Sequence, residues 1–365
     1  MIPTFVVNRS DLRDTRWQEL PPATLPPGGV RMRIEQFALT ANNITYAAFG
    51  DKMGYWSFFP TGDPTTGCIP VWGFGRVGES SCPEVPVGER FYGYYPMAGE
   101  VDLQPVRCSA NGFVDGAPRR RDLPAVYNRY VRCSTDPAHD PAREAEQALL
   151  RPLFTTSFLI DDFLADNGYF GAQAVLLSSA SSKTAYGTAF CLARRHGTPR
   201  AVKLVGLTSP GNLAFTRGLG CYDEVLTYAQ TGSLNSAMAA VYVDFSGSVA
   251  TRAAVHERLG EQLRYSCSVG GTHWDELGSG KGLPGPRPTL FFAPAQAKKR
   301  IADWGAAGLQ QRLGVAWHAF MVPLTDVLHP WLRVERHTGR AAIGTVYRAL
   351  LDGQVDPQVG HVLSL

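Results

Sequence analysis

Charged side chains are scarce in this sequence. They make up 18% of its 365 residues, whereas soluble proteins typically contain about 25%. The formal net charge is only +3, and the densest basic run is Arg119, Arg120 and Arg121, which we expect to form a solvated loop. Because a nucleic-acid-binding surface needs a larger basic cluster, the composition argues against a nucleic acid as partner.

The sequence also lacks long apolar runs and paired cysteine motifs. No stretch reaches the roughly 18 apolar residues that a membrane span requires, and the first residues lack the pattern of a secretion signal. We therefore expect a cytoplasmic protein without a membrane partner. The seven cysteines form an odd set without C-x-x-C spacing, which argues against a disulfide framework and a structural zinc site.

Glycine and proline are plentiful in the first part of the chain and separate short apolar segments. The whole sequence holds 38 glycines and 26 prolines. Strand-like segments at 30–37, 71–78 and 90–95 are separated by such turn residues. An antiparallel β domain is therefore predicted for the first part of the chain.

The second part of the chain alternates between strand-like and helical patterns, which predicts a parallel sheet with crossover helices. A helical pattern at 142–164 precedes it, and the chain ends with a predicted helix and a short strand at 361–365. The predicted strands are 174–178, 202–207, 224–227, 241–245 and 263–269, with 289–293 as a candidate sixth, and the predicted helices between them are 184–195, 211–219, 233–239 and 249–259.

The first of these strands ends in S-S-A-S-S-K-T at 178–184. A dinucleotide-binding fold carries G-x-G-x-x-G at this point, where glycines let the backbone approach the pyrophosphate. Small side chains, hydroxyls and one ammonium group replace the glycines here and offer hydrogen-bond donors instead. The candidate phosphate ligands are Ser179, Ala180, Ser181, Ser182, Lys183 and Thr184, although the same change is also expected if the phosphate site has been lost.

Further motifs follow one another in a fixed order. They are L-T-A-N-N-I-T-Y at 39–46, G-F-G-R-V-G at 73–78, V-G-E-R-F-Y-G at 87–93, R-G-L-G-C-Y-D-E-V at 217–225 and V-D-F-S-G at 243–247. This ordered set resembles the zinc-independent medium-chain dehydrogenase/reductase superfamily, in particular its quinone oxidoreductase and enoyl reductase branch. The missing glycines place the chain in a divergent branch.

The resemblance implies an α/β fold with two domains. A GroES-like antiparallel β catalytic domain would span 1–145 and be completed by about 325–365. A Rossmann domain with a doubly wound parallel sheet would span 146–324 and bind the dinucleotide. Superfamily members often pair their sixth strands, so the resemblance also implies a homodimer.

The end of the second predicted strand indicates which nucleotide is used. It reads V-G-L-T-S-P-G-N at 205–212 and lacks the acidic residue that binds the ribose of NAD. A carboxylate beside a 2′-phosphate would cost on the order of 4 kcal/mol at 4 Å and an effective dielectric of 20. NADP(H) is therefore favoured, with Thr208, Ser209 and Asn212 as donors, although Ser209 or Asn212 could instead cap the next helix.

Three more candidate cofactor residues come from the ends of later strands. Asp244 belongs to the V-D-F-S-G motif, and Val269 and Gly270 end the fifth predicted strand. Residues at the carboxyl ends of such strands border the nicotinamide in doubly wound sheets. We expect Val269 and Gly270 to do the same, and Asp244 to contribute to cofactor binding.

Tyr46 and Asn43 are the candidate catalytic residues. A phenol can donate a proton to a developing enolate, and an amide can bind cofactor or substrate. The alternatives are a tyrosine packed between domains and an Asx turn. No metal is expected, because V-W-G-F stands at 71–74 where zinc-dependent relatives carry Gly-His-Glu. We interpret five histidines as isolated: His256, His273, His318, His329 and His337.

These observations lead to two hypotheses of different classes. The first is an NADP(H)-dependent oxidoreductase that reduces an activated C=C bond or carbonyl of a small quinone-like or enone-like substrate. The second is a catalytically silent binding protein of the same fold with a degenerate phosphate loop. Fold alone does not choose between them, because function resides in the site.

Overall fold

The chain folds into two compact units. The computed structural model describes residues 1–195, 197–198, 201–269, 282–354 and 356–365. One unit consists of Met1–Pro152 and Arg333–Leu365, and the other of Leu153–Leu332. The boundaries predicted from the sequence, after 145 and near 325, lie within eight residues of these.

The first unit begins with ten strands and one helix. Turns with positive φ at glycine, such as Gly88 at +92° between two strands, allow the chain to reverse over short distances. The three strands predicted here are present in slightly longer form. The elements are β1 (Ile2–Asn8), β2 (Thr15–Leu20), β3 (Val30–Leu39), α1 (Ala41–Ala48), β4 (Thr66–Gly67), β5 (Pro70–Ser80), β6 (Arg90–Pro96), β7 (Glu100–Leu103), β8 (Pro105–Ser109), β9 (Gly112–Asp115) and β10 (Arg129–Arg132).

The second unit is a parallel sheet with helical crossovers. A long helix, α2 (Glu144–Asp166), contains the boundary between the two units. The elements that follow are β11 (Ala174–Leu177), α3 (Lys183–Ala193), β12 (Lys203–Thr208), α4 (Leu213–Gly218), β13 (Glu224–Thr227), β14 (Ala240–Asp244), α5 (Val249–Leu259), β15 (Leu263–Ser268), β16 (Thr289–Leu290) and α6 (Ala293–Leu324).

The strand order in this sheet is β13-β12-β11-β14-β15-β16, and every pair is parallel. This is the order of a doubly wound dinucleotide-binding fold. Every residue of β11 and β14 is buried, as expected for strands covered on both faces. The predicted Rossmann sheet is confirmed, including its short sixth strand.

The end of the chain returns to the first unit as β17 (Arg333–Thr338), α7 (Arg340–Leu351) and β18 (Val359–Ser364). These strands complete a sheet of order β17-β18-β3-β5-β6-β10-β9-β8, in which β7 also pairs with β3. The pairs are antiparallel except β17 with β18, which run parallel. The predicted antiparallel domain is therefore confirmed, with one parallel pair at its edge.

Three local predictions were wrong or missing. The helix predicted over 233–239 is not formed: Ser233 ends a 3-10 helix and 234–239 form bends and a turn, in which the Asn235 side chain accepts the Ala237 amide and competes with helical bonding. The helix α6 was not predicted, since it buries few side chains and therefore shows little apolar periodicity. Arg120 does not lie in a solvated loop but is completely buried.

Two further findings concern the helices and the cysteines. No helix in the described part of the chain is long and apolar enough to cross a membrane. All seven cysteines are free, and six are buried. Burial raises the pKa of the Cys68 thiol to about 12, so this thiol stays protonated and unreactive near neutral pH.

Candidate functional site

The loop between β11 and α3 forms a tight turn. Ser179 has a φ of +48°, a left-handed conformation that glycine adopts most easily. Ser182 then caps α3, its hydroxyl accepting the Ala185 amide at 3.4 Å. The chain thus keeps a glycine-like backbone at a position where the side chain is serine.

Side chains and a neighbouring strand brace this loop. The Ser179 amide donates to the Tyr228 hydroxyl at 3.1 Å, and the Ala180 amide donates to the Leu207 carbonyl at 3.1 Å. The Tyr222 hydroxyl donates to the Ala180 carbonyl at 2.9 Å. Some of the backbone groups that a glycine-rich loop leaves available to a ligand are therefore hydrogen-bonded within the protein. The N-terminus of α3 still favours the binding of an anion.

Residues from two strand ends meet beside this loop. The Ser181 hydroxyl accepts the Asn212 amide group at 3.1 Å and lies 3.4 Å from the Thr208 hydroxyl. Ser181 and Thr208 are buried, and Asn212 and Ser209 are half-buried. Neither Ser209 nor Asn212 makes a side-chain cap to the helix that follows it, so helix capping does not account for these residues.

Asp244 has a role within the protein. Its Oδ1 accepts hydrogen bonds from the Ser178 hydroxyl at 2.8 Å, from the Ser246 amide and hydroxyl, and from the Gly247 amide. Its Oδ2 accepts two from the buried Arg252 guanidinium, at 3.0 and 2.9 Å. A carboxylate offers about four lone-pair sites, so we interpret Asp244 as a residue that positions the loop rather than one that binds a cofactor directly.

The other predicted cofactor residues surround the same strand ends. Lys183 and Thr184 form the first turn of α3 and are half-buried, and the Thr184 carbonyl accepts the Ser157 hydroxyl at 2.7 Å. The Val269 amide donates to the Asp244 carbonyl at 2.9 Å. Gly270 lies outside the described residues.

We expect Ser179→Gly to raise the free energy of unfolding by about 1 kcal/mol, because glycine removes the cost of a left-handed backbone. Chemical denaturation of the full chain measures this. Ser209→Gly is the matched control, since φ at Ser209 is −74° and glycine there only adds freedom to the unfolded chain. A loss of stability in Ser179→Gly would contradict the assignment of strain.

Asn43 lies at the start of α1 and completes a capping box. Its Oδ1 accepts the Thr40 amide at 2.8 Å, and its Nδ2 donates to the Pro70 carbonyl at 2.9 Å. The side chain is buried, and both ends of its amide are used in holding α1 and β5 in place. This arrangement favours the structural alternative for Asn43 over a catalytic role.

Tyr46 lies three residues further along α1 in a group of aromatic rings. Its ring centroid is 4.6 Å from that of Tyr55, 5.7 Å from that of Tyr94 and 6.1 Å from that of Tyr127. Burial, reinforced by Tyr55, raises the pKa of the Tyr46 phenol above its ordinary value. The phenol is therefore protonated at physiological pH and can donate, but not accept, a proton.

The aromatic group extends across β5 and β6, and sequence reasoning missed most of it. Trp72 pairs with Tyr94 and Phe74 with Tyr92 across the two strands, so all four side chains share one face of the sheet. The Tyr92 Oη and Tyr94 Oη atoms are buried without a hydrogen-bond partner among the described residues. Aromatic alternation at 72 and 74 and at 92 and 94 was the signal that could have revealed it.

The histidines are not all isolated, contrary to the sequence interpretation. His337 Nε2 lies 3.0 Å from His361 Nδ1 across the β17–β18 pair. His256 is buried, with its ring nitrogens 2.9 Å from the Pro284 carbonyl and 2.9 Å from the Ser266 hydroxyl. Burial lowers the pKa of His256, which keeps this ring neutral.

Comparison with solved structures gives full-length matches to reductases. The chain is 12% identical to CurA in complex with NADPH from Vibrio vulnificus, with a TM-score of 0.59, covering 99% of this chain and 98% of that chain. It is 9% identical to a putative NADPH:quinone reductase from Mesorhizobium loti, with a TM-score of 0.59 and coverage of 100% and 98%. For CurK enoyl reductase the identity is 12%, the TM-score 0.56 and the coverage 100% and 99%.

At these identities the likeness concerns the fold. The chain has the fold of enoyl reductases and quinone oxidoreductases, which confirms the fold that the resemblance implied. A search of curated proteins gives no match. The family model described as "Protein of unknown function (DUF2855)" matches residues 37–356, and the chain therefore belongs to the DUF2855 family.

Proposed function

We propose that this protein is an NADP(H)-dependent oxidoreductase that reduces an activated C=C bond or carbonyl of a small molecule such as a quinone or enone. The doubly wound strand order supports a dinucleotide site at the carboxyl ends of β11 and β12. The similar structures include one in complex with NADPH and one named a putative NADPH:quinone reductase.

The observation that carries the proposal is the polar cluster of Ser181, Thr208 and Asn212. The Ser181 hydroxyl lies 3.4 Å from the Thr208 hydroxyl and 3.1 Å from the Asn212 amide nitrogen, one residue before the N-cap of α3. None of them carries a negative charge, so the cluster can donate hydrogen bonds to a phosphate without repelling it. A donor set of this kind fits the 2′-phosphate of NADP(H).

Lys183 and the first turn of α3 are proposed to hold the diphosphate. The helix N-terminus and an ammonium group both favour negative charge. Asp244 and Arg252 would act indirectly by holding Ser178 and the strand end in place. When bound, NADPH supplies the hydride, and the protein positions it.

On the substrate side, we propose Tyr46 as the proton donor. Its raised pKa keeps the proton on the phenol until a stronger base forms. The aromatic group around it contains two buried hydroxyls, of Tyr92 and Tyr94, that have no hydrogen-bond partner among the described residues, and it suits a planar substrate with polar edges. A cytoplasmic location and a homodimer stay predictions.

Nucleotide binding tests the proposal directly. We expect NADPH to raise the melting temperature of the full chain, with stabilisation of roughly 2.7 kcal/mol at a hundredfold excess over Kd. NADH should give a smaller shift at the same concentration. No shift with either nucleotide would overturn the proposal and favour the silent binding protein.

We expect Lys183→Ala to weaken NADPH binding by about 1.5–3 kcal/mol, the range for a hydrogen bond to a charged group. Lys203→Ala is the matched control, because Lys203 belongs to the same unit but pairs with Glu224 at 2.6 Å on the surface. Isothermal titration with NADPH measures both. Equal NADPH affinity in the two variants would show that Lys183 does not bind the nucleotide. If the full chain binds NADPH, assays of NADPH oxidation with quinones and with enones then identify the substrate class.

A further inference from the structure

Three potential metal ligands lie together at the edge of the larger sheet. Glu335 and His337 are two residues apart on β17, so their side chains point to the same face. In the parallel pair with β18, Glu335 is directly opposite His361. The fold therefore places these three side chains on one face of two neighbouring strands, although 24 residues separate the histidines along the chain.

The distances between the ligand atoms fit a metal ion. His337 Nε2 is 3.0 Å from His361 Nδ1, and Glu335 Oε2 is 3.8 Å from the former and 3.7 Å from the latter. In a tetrahedral zinc site with ligand distances of about 2.0–2.2 Å, neighbouring ligand atoms are about 3.3–3.6 Å apart. Shifts of a few tenths of an ångström would bring all three atoms onto one ion.

We propose that Glu335, His337 and His361 bind one Zn²⁺ ion per chain. Two imidazoles and one carboxylate are a zinc ligand set, and water would take the fourth position. The Glu335 side chain is 54% exposed and those of His337 and His361 are 25% and 17% exposed, so the ion can enter from solvent. Bound zinc would fasten the edge strand β17 to β18 and so close the end of the sheet.

The alternative is a hydrogen bond between the two rings, in which one imidazole donates to the other. That bond needs a proton between the nitrogens, whereas zinc needs both nitrogens unprotonated. In that arrangement the Glu335 carboxylate, 3.7–3.8 Å from the two ring nitrogens, forms an ion pair only if a ring carries a second proton. Zinc binding accounts for all three side chains at once.

Zinc titration of the full chain tests this proposal, after removal of any affinity tag and of bound metal by a chelator. We expect one Zn²⁺ per chain in competition with a chromophoric chelator. Since changes to residues that only support a ligand cost about 10–100-fold in affinity, we expect His337→Ala and His361→Ala each to lose at least about a hundredfold. Glu335→Gln, which keeps the size of the side chain, should also weaken binding.

His329→Ala is the control, because His329 is an exposed histidine outside the cluster, and it should bind zinc as the wild type does. Melting curves without metal should be alike for all these chains, and added zinc should raise the melting temperature of the wild type and the control more than that of the three variants. Absence of stoichiometric zinc in the wild type, or equal zinc affinity in the wild type and His337→Ala, would overturn the proposal.

Discussion

Replacing Asp244 with alanine is expected to lower the free energy of unfolding by about 3–5 kcal/mol. Asp244 is 1% exposed and forms an ion pair with Arg252, which is 7% exposed. The substitution leaves a buried guanidinium without a counter-charge, and such a charge is costly to keep away from water. It also removes the acceptor for the Ser178 hydroxyl, and thereby loosens the strand end that carries the loop.

Chemical denaturation followed by tryptophan fluorescence measures this loss. Glu224→Ala is the matched control, because the Lys203–Glu224 pair joins strands of the same sheet on its surface. An exposed pair contributes about 0–1 kcal/mol. If Asp244→Ala costs no more than Glu224→Ala, the buried pair does not hold this end of the sheet. A concurrent drop in NADPH affinity would connect the pair to the proposed cofactor site.

Arg120→Met is expected to destabilise the protein by a similar amount, about 3–5 kcal/mol. The Arg120 guanidinium is completely buried, 3.0 Å from an oxygen of buried Asp115. It also lies over the rings of Phe58 and Phe59, 5.3 and 4.6 Å from their centroids. Methionine fills much of the same space but leaves the Asp115 charge unpaired in the interior.

A double variant separates charge from packing. Asp115→Asn combined with Arg120→Met removes both charges and keeps the oxygen that accepts the Gln104 and Ala117 amides. We therefore expect the double variant to regain part of the lost stability in urea denaturation. Arg121→Met, at the exposed neighbour of Arg120, should change stability by less than about 0.5 kcal/mol. A double variant less stable than Arg120→Met would show that packing, not charge, dominates.

The parallel sheet was predictable because its signal is local. Strands buried on both faces must be apolar along their length, so β11 and β14 stand out as short apolar runs. The loop after β11 was recognisable for the same reason, since it had to follow the first of these runs. The polar cluster at its side could be anticipated residue by residue, because carboxyl ends of neighbouring parallel strands meet at one edge.

The aromatic group on β5 and β6 could not be predicted from neighbouring residues alone. Trp72 and Tyr94 are neighbours only because two strands pair in one register, and that register depends on the whole sheet. Asn43 shows the same limit. Its amide was a candidate for catalysis until the position of the Pro70 carbonyl, 27 residues away, gave it a structural partner.

The sequence by itself determined the alternation of strands and helices, the replacement of glycines by small hydroxylic residues after β11, and the lack of an acidic residue after β12. Each of these features depends only on residues that are neighbours along the chain. Only the tertiary structure decided that Arg120 is buried, that Asp244 forms an ion pair with Arg252, and that the side chains of Glu335, His337 and His361 lie close together. The burial of a charge and the convergence of ligands depend on distant segments, whose contacts form only when the sheets assemble.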